Sequence, residues 1–453
     1  MKILDKFFKI SERESNISTE LIAGLTTFAA MAYIIFLQPA ILSGNLGQIK
    51  TGMPEDALFT ATCLVAAFGS LIMGLLANYP AALAPGMGEN FFFVTIVTVS
   101  LVKITGLAPG SPELWHAGLA IVFISGIIFA ILSFLNVRQF LVRAVSPSLR
   151  NAILVGIGLF IAELGLINGG IVKVAFGYFD LSKDIVSAGS LVFMVGLVTA
   201  AVLEFRKVKG ALLIGIGCGL IVALLTEKAE FIGIYSAPPS ALPIFCKFNF
   251  SLLLTYLFKV LPLIFIFVYM DVFDTLGCLL GLSEQAEMND KNGEPPNLKR
   301  AFASDAISTM GGSMFGNSTV TIYLESSAGI KSGGKTGLTA VITGICFLLA
   351  MFFSPIVKTA AGFAPITAPA LVLVGVVMMN GVRKIDWQDL SEALPAFLII
   401  VGIPFTSSIA DGMMLGFIVY PFIKLFCGKG GQIGFLSYFL SILMLIYLIF
   451  VRI

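Results

Sequence analysis

The stretch NYPAALAPGMGEN, Asn78 to Asn90, sets Pro80, Pro85, Gly86 and Gly88 directly ahead of an apolar run. Proline removes a backbone donor and clashes with the preceding turn, and glycine weakens helix, so a regular helix cannot begin before about Met87. The reading is an extended stretch followed by a half-helix. A second interruption, MGGSMFGNSTVTIYLES from Met310 to Ser326, places Gly311, Gly312 and Gly316 ahead of the β-branched Thr319, Val320 and Thr321. Extended backbone at bilayer depth survives only where protein buries it or where it lines a cavity. The two units are therefore expected to face each other across a binding site. Interrupted segments at corresponding positions of two halves are the sequence pointer to a transporter site. Pro85, Gly86, Gly88 and Gly316 are read as enabling the breaks, not as ligands.

Around these units the chain is overwhelmingly apolar. Of 453 residues, 58% are hydrophobic and only 12% charged, more apolar surface than a water-soluble core of that length hides. A span needs about 20 apolar residues, and about fourteen segments qualify. The first set runs roughly 20–43, 55–77, the broken unit 80–104, 115–135, 147–168, 185–205 and 210–226. The second runs roughly 254–282, 298–313, the broken unit 315–330, 337–355, 363–380, 393–409 and 411–427. Seven crossings put the second half in upside down, so the expected fold is an all-α polytopic membrane protein built as a 7+7 inverted repeat. The segment 433–450 has no counterpart in the first half and reads either as a fifteenth span or as a peripheral helix.

Lysine and arginine in short loops mark the cytoplasmic side. To it are assigned Lys2, Lys6, Lys9, Arg13, Arg138, Arg143, Arg150, Arg206, Lys207, Lys209, Lys291, Lys299, Arg300, Lys331, Lys335, Arg383, Lys384, Lys424 and Lys429. The opposite loops hold Lys50, Lys103, Lys173, Lys183, Lys228, Lys247, Lys259 and Lys358. Nineteen against eight places the amino terminus in the cytoplasm, with Arg452 left uncounted. The lead-in MKILDKFFKISERESNIST is basic and amphipathic, lacks a small-residue cleavage site and is not read as a removable signal.

Four carboxylates lie in or beside these spans: Asp271 and Asp274 in IFVYMDVFDTLG, Asp305 in AFASDAIS and Glu325 in STVTIYLESSAG. An ionisable group at bilayer depth is costly and stays where it binds, relays or pairs. Asp271 and Asp274, three apart, share one helix face. Two acids that close in a low dielectric do not both ionise readily, which poises them for proton coupling. The six cysteines suggest no disulfide or metal site, and His116, the single histidine, sits at the start of a span, which argues against a histidine relay. An intramembrane enzyme would need a nucleophile with a base or a metal cluster, and neither is visible. Gly329 to Thr336, GIKSGGKT, fits the spacing of a phosphate-binding loop but joins a half-helix to a span, so it is read as a cytoplasmic turn. No cofactor, metal or nucleic acid is implied.

Several stretches together resemble the nucleobase/ascorbate transporter family, and within it the Azg-like branch of hypoxanthine, guanine and adenine permeases. They are AAMAYIIFLQPAIL, APGMGENFFF, DVFDTLG, the run from SDAIS through GNSTVTIYLESSAGIKSGGKTGL, GFAPITAPALVLVG and PAFLIIVGIPFTSSIADG, in order along nearly the whole chain. The resemblance implies fourteen spans divided into core and gate domains, proton symport of a purine nucleobase with alternating access, a homodimer and a place in the plasma or inner cell membrane. On that division residues 1–19 are a cytoplasmic lead-in, 20–135 and 250–358 the core, 136–227 and 359–427 the gate, and 428–453 a C-terminal hydrophobic segment.

The resemblance carries substrate binding onto Asn90, Asp271 and Glu325, with Asp274 and Asp305 as supporting acids. Glu89 stands where the family has an apolar residue, and Glu163 is a further extra acid. A carboxylate accepting two N–H groups matches a purine edge, and Glu325, expected about one turn into its half-helix, is the candidate clamp. The competing role for Glu325 is a structural pairing that holds the protein together. Asp271 is assigned to substrate contact or protonation and Asp274 to bracing. Asn90 offers both a donor and an acceptor, with capping as its competing role. One of Phe91, Phe92 and Phe93 can stack on a flat base, although phenylalanines in such chains mostly pack. Thr321 and Tyr323 are further lining candidates, and Glu89 is grouped with the supporting acids. A uracil or xanthine permease of the same family, or an anion transporter on the same fold, is the alternative; acids facing the ligand disfavour the anion.

Overall fold

The computed structural model describes residues 2–46, 50–134, 146–175, 178–183, 185–289 and 295–449. Arg138, Arg143, Lys291 and Arg452 of the charge assignment lie outside them. Among the described residues nine helices are long and apolar enough to cross a membrane, with three shorter apolar ones beside them. Residues 17–42, 55–77, 83–105, 112–134, 147–168, 188–205 and 211–225 form the first set of seven. Residues 257–285, 298–314, 320–330, 337–361, 364–378, 390–406 and 409–426 form the second. The 7+7 order is thus present, with a peripheral hairpin pairing Val172–Ala175 with Tyr178–Leu181 and a last helix, Phe435–Tyr447.

Helix starts follow local capping chemistry. Asn16, Ser146, Ser187, Thr336, Asp389 and Ser408 each accept an amide of the turn they precede, supplying acceptors that the first helical turn lacks. Pro147 occupies the first turn of its helix, where its missing donor costs nothing.

The two interrupted units do not face each other across a gap; they touch. Leu83–Pro85 and Val320–Ile322 form an antiparallel pair with Leu83 opposite Ile322, Ala84 opposite Thr321 and Pro85 opposite Val320. The ladder continues outward through Gly86 N to Thr319 O (3.0 Å) and Tyr323 N to Ala82 O (3.0 Å). The reason is backbone accounting: two extended stretches in an apolar interior satisfy one another's donors and acceptors more completely than either could facing a cavity. Each strand's outer edge is closed by a hydroxyl from the second helix of its own half. Ser70 Oγ accepts from Leu83 N at 3.0 Å and donates to Leu83 O at 3.1 Å. Thr309 Oγ1 accepts from Val320 N at 3.1 Å and lies 3.1 Å from Val320 O.

The helices that follow are unequal. One begins at Met87, as the prolines require, and continues through a wide turn at Ile96–Ser100 to Thr105. The other is a single turn, Ser326–Ile330, followed by a glycine-rich turn. Glu325 therefore stands at the amino-terminal boundary of its helix and not one turn into it, because the strand and a turn closed by Ser326 N on Tyr323 O occupy the residues up to it. Gly88 lies within the first turn of its helix and makes no break. Gly316, at φ +83°, does: it ends the Leu298–Met314 helix in a left-handed conformation that disfavours side chains.

Candidate functional site

The strand pair brings the expected residues together. Asp271 is buried in the Leu257–Gln285 helix, and its Oδ2 accepts from Thr309 Oγ1 at 2.9 Å. One turn on, Asp274 Oδ2 accepts from Thr321 Oγ1 at 3.0 Å. The two acids are thus tied to the second strand at the successive residues Val320 and Thr321, the first through Thr309. Asp305, fully buried, accepts from Thr275. Glu89, buried in the first turn after the other strand, interacts electrostatically with Asp274 and Asp271. Its carboxylate packs so close over Gly86 that a Cβ there would stand 2.4 Å from Glu89 Oε2.

Of the oxygens of Asp271, Asp274, Asp305 and Glu325, Asp271 Oδ1 and Asp305 Oδ1 are buried with no protein donor among the described residues. A buried carboxylate oxygen without a donor is costly, and the cost is relieved by a proton or by a ligand's N–H. Glu325, half-buried, accepts from Tyr33 Oη at 2.6 Å. Tyr323 Oη donates to Pro85 O at 2.6 Å, locking the second strand's exit to the end of the first.

Asn90 is fully buried and committed to partners within the protein. Its amide exchanges bonds with Gln38, which donates to Asn90 Oδ1 at 3.0 Å and accepts from Asn90 Nδ2. Ser318 also donates to Asn90 Oδ1. Gln38 donates in addition to Asn317 Oδ1 at 2.8 Å, while Asn317 Nδ2 has no acceptor. The phenylalanines separate by position. Phe92 packs on Phe267 with ring centroids 4.7 Å apart, Phe93 is fully buried, and Phe91 meets the edge of Phe160 on the Pro147–Asn168 helix at 6.0 Å. Glu163 lies half-buried on that same helix.

Sequence reading missed Tyr33, Gln38, Thr275, Thr309 and Ser318, which are direct partners of the acids and of Asn90, and Asn317, which Gln38 also holds. It also missed Glu20, fully buried at the start of the first span. Glu20 Oε1 accepts from Lys335 N (3.0 Å) and Ser15 Oγ (2.7 Å), and Oε2 from Thr336 N (3.3 Å) and Thr339 Oγ1 (2.6 Å). The turn after Glu325 is thereby fastened to the first helix. Arg13 reinforces the same corner by donating to Asn78 O and Lys335 O, each at 2.9 Å. Lys209 reaches it as well, donating to Ser332 Oγ at 2.6 Å.

The model of a permease family, Xan_ur_permease, matches residues 18–415. The guanine/hypoxanthine permease PbuO of Bacillus subtilis is 39% identical over 446 residues, covering 97% of this chain and 99% of that protein. The adenine permease AdeP of Escherichia coli is 36% identical over 449 residues, covering 99% and 96%. Among solved structures, the transmembrane domain of a cyanobacterial bicarbonate transporter, BicA, superposes with a TM-score of 0.61 at 15% identity, over 88% of this chain and 97% of that one. At that identity the likeness speaks for the fold alone.

Proposed function

The chain belongs to the nucleobase/ascorbate transporter family of permeases, and we propose that it imports a purine nucleobase (hypoxanthine, guanine or adenine) by proton symport. The observation that carries this reading is the pair of donor-free buried oxygens, Asp271 Oδ1 and Asp305 Oδ1, beside the paired strands. Relatives named for guanine, hypoxanthine and adenine support the substrate class. A neutral heterocycle rich in N–H donors complements such oxygens, whereas an anion would be repelled by Glu89, Asp271, Asp274, Asp305 and Glu325.

In this reading Glu325 and Asp271 accept from the base, and Thr321 and Phe91 line its seat. Asn90 contributes by exchanging its Gln38 partner for the base. Asp271 takes the coupled proton, with Asp274, Asp305 and Glu89 setting the field around it. The Pro147–Asn168 helix packs with Ala368–Met378, Leu390–Thr406 and Ile409–Phe426. Leu298–Met314 packs with Glu55–Ile72 and Pro112–Phe134. This segregation supports a gate (136–227, 359–427) moving against a core (20–135, 250–358), the alternating access of inverted-repeat transporters. The amino terminus faces the cytoplasm, the protein resides in the cell membrane, and two copies associate as a homodimer. The side assignment is supported by Arg13, Lys209 and Lys335, all read as cytoplasmic from sequence and gathered at one corner.

The test is uptake of labelled bases by cells lacking their own permeases, with and without a protonophore. Asp271→Asn and Glu325→Gln are expected to abolish or reshape uptake at parental membrane abundance. Parental kinetics in both variants would remove the site assignment.

A further inference from the structure

The two halves close their strands with the same device but not with the same neighbours. Ser70 Oγ serves Leu83 alone, accepting its N–H and donating to its carbonyl. Thr309 Oγ1, at the corresponding place in the second half, accepts from Val320 N at 3.1 Å but has two acceptors for its single hydrogen: Val320 O at 3.1 Å and Asp271 Oδ2 at 2.9 Å. A hydroxyl carries one proton. It cannot serve both acceptors fully, and Thr309 is fully buried.

Resting on the proton-symport reading above, we propose that Thr309 is the positioning residue through which the proton on Asp271 is felt by the strand leading to Glu325. When Asp271 is ionised, the charge-assisted bond to its Oδ2 is the stronger claim on the hydrogen, and the Val320 carbonyl goes without. When Asp271 is protonated that claim weakens, the hydroxyl turns to Val320 O, and the second strand is clamped on both its N–H and its carbonyl, as Leu83 is clamped by Ser70. Val320 is five residues before Glu325, and Thr321 between them is tied to Asp274. The proton thus changes how firmly the base's clamp is held, without Thr309 touching the base. The other charged groups facing Asp271 are Asp274 on its own helix, Asp305 on the Thr309 helix and Glu89 from the Met87–Thr95 helix. They set when Asp271 takes its proton; Thr309 transmits that it has.

The experiment compares Thr309→Val, Thr309→Ser and Ser70→Ala in uptake cells, reading the steady-state accumulation of labelled hypoxanthine, guanine and adenine and the pH profile of uptake. Coupling of this kind amounts to about 5–150-fold between linked ligands. Thr309→Val, which keeps the shape and removes the hydroxyl, is expected to lower accumulation by about tenfold and flatten the pH profile while still equilibrating the base. Thr309→Ser restores both. Ser70→Ala removes a strand clamp whose hydroxyl, among the described residues, bonds no acid, so it slows uptake but leaves the pH profile in place. A parental profile in Thr309→Val, or an equal flattening in Ser70→Ala, overturns the inference. Should Thr309→Val fail to reach the membrane, Thr309→Cys, a weaker donor of similar size, is expected to shift the profile part-way, and an unshifted profile overturns it. A parent that takes up none of the bases, or ignores a protonophore, defeats the symport reading itself and this inference with it. A coupled parent with a coupled Thr309→Val defeats only the inference.

Discussion

Replacing Glu20 with glutamine tests how much of the turn after the Ser326–Ile330 helix depends on one buried carboxylate. Glu20 accepts four donors: the amides of Lys335 and Thr336 and the hydroxyls of Ser15 and Thr339. Glutamine keeps one acceptor oxygen and turns an NH2 toward the other pair. In either flip one hydroxyl can rotate to accept from that NH2, but one backbone N–H, buried at Thr336 or part-buried at Lys335, cannot and is left without its partner, at about 1–3 kcal/mol. The remaining bonds lose their charge assistance, roughly a further 1–2 kcal/mol together. The sum, about 2–5 kcal/mol, is large for a substitution of equal volume. At roughly 1–2 °C per kcal/mol for a chain of this length, the melting midpoint of the purified protein in detergent should fall by several degrees. Uptake should fall with it, because the turn follows directly on the Ser326–Ile330 helix. A Glu20→Gln variant melting with the parent would refute the reasoning that this carboxylate anchors the turn.

Tyr33→Phe removes the donor on Glu325 Oε1; uptake kinetics should show KM raised about tenfold at unchanged membrane abundance, and an unchanged KM would show that Tyr33 does not aim the carboxylate. Gly86→Ala puts a Cβ 2.4 Å from Glu89 Oε2 and 3.0 Å from Thr321 Cγ2. The flexible carboxylate gives way, so the protein should fold and melt near the parent while uptake drops; parental uptake would mean that the place of Glu89 does not matter. Outside the spans, Asp389 is held well below the ordinary carboxylate range, first by the Lys429 bond (2.7 Å) and then by Ser391. A depressed group contributes its stability above its unfolded value and loses it as pH falls through the folded one. The difference in melting midpoint between parent and Lys429→Gln should therefore stay constant from neutral pH down to about 4 and narrow only below that. A difference that vanishes near neutral pH would contradict the pairing.

What could be read from sequence is what depends on neighbours along the chain. The Pro85-Gly86 pair predicts a helix start at Met87, and Asp271 with Asp274 predicts two acids on one face, because both follow from spacing alone. Partners brought in by the fold were invisible. Tyr33 and Glu325 are 292 positions apart, and Glu20 and Thr339 are 319 apart; no local pattern marks a tyrosine or a first-turn glutamate as bound to a distant segment. The strand pairing was hidden because each strand is three residues long, too short for a period of two to show. The single-turn helix after Glu325 is set by the turn that Glu20 and Arg13 fasten, so its length was not legible in the apolar run itself. Glu20 had one usable signal in the sequence, an acid at the start of an apolar span, a place where a carboxylate stays only if it is satisfied, even when it serves architecture.

In the proposed mode of binding, acids gathered beside a strand pair in the membrane grip a purine. A structure of the protein determined with hypoxanthine or guanine bound tests it directly. The base is expected beside Leu83–Pro85 and Val320–Ile322, its N–H groups donating to Glu325 and to Asp271. A base held elsewhere, or one seated there with both carboxylates turned away from it, would contradict this mode of binding.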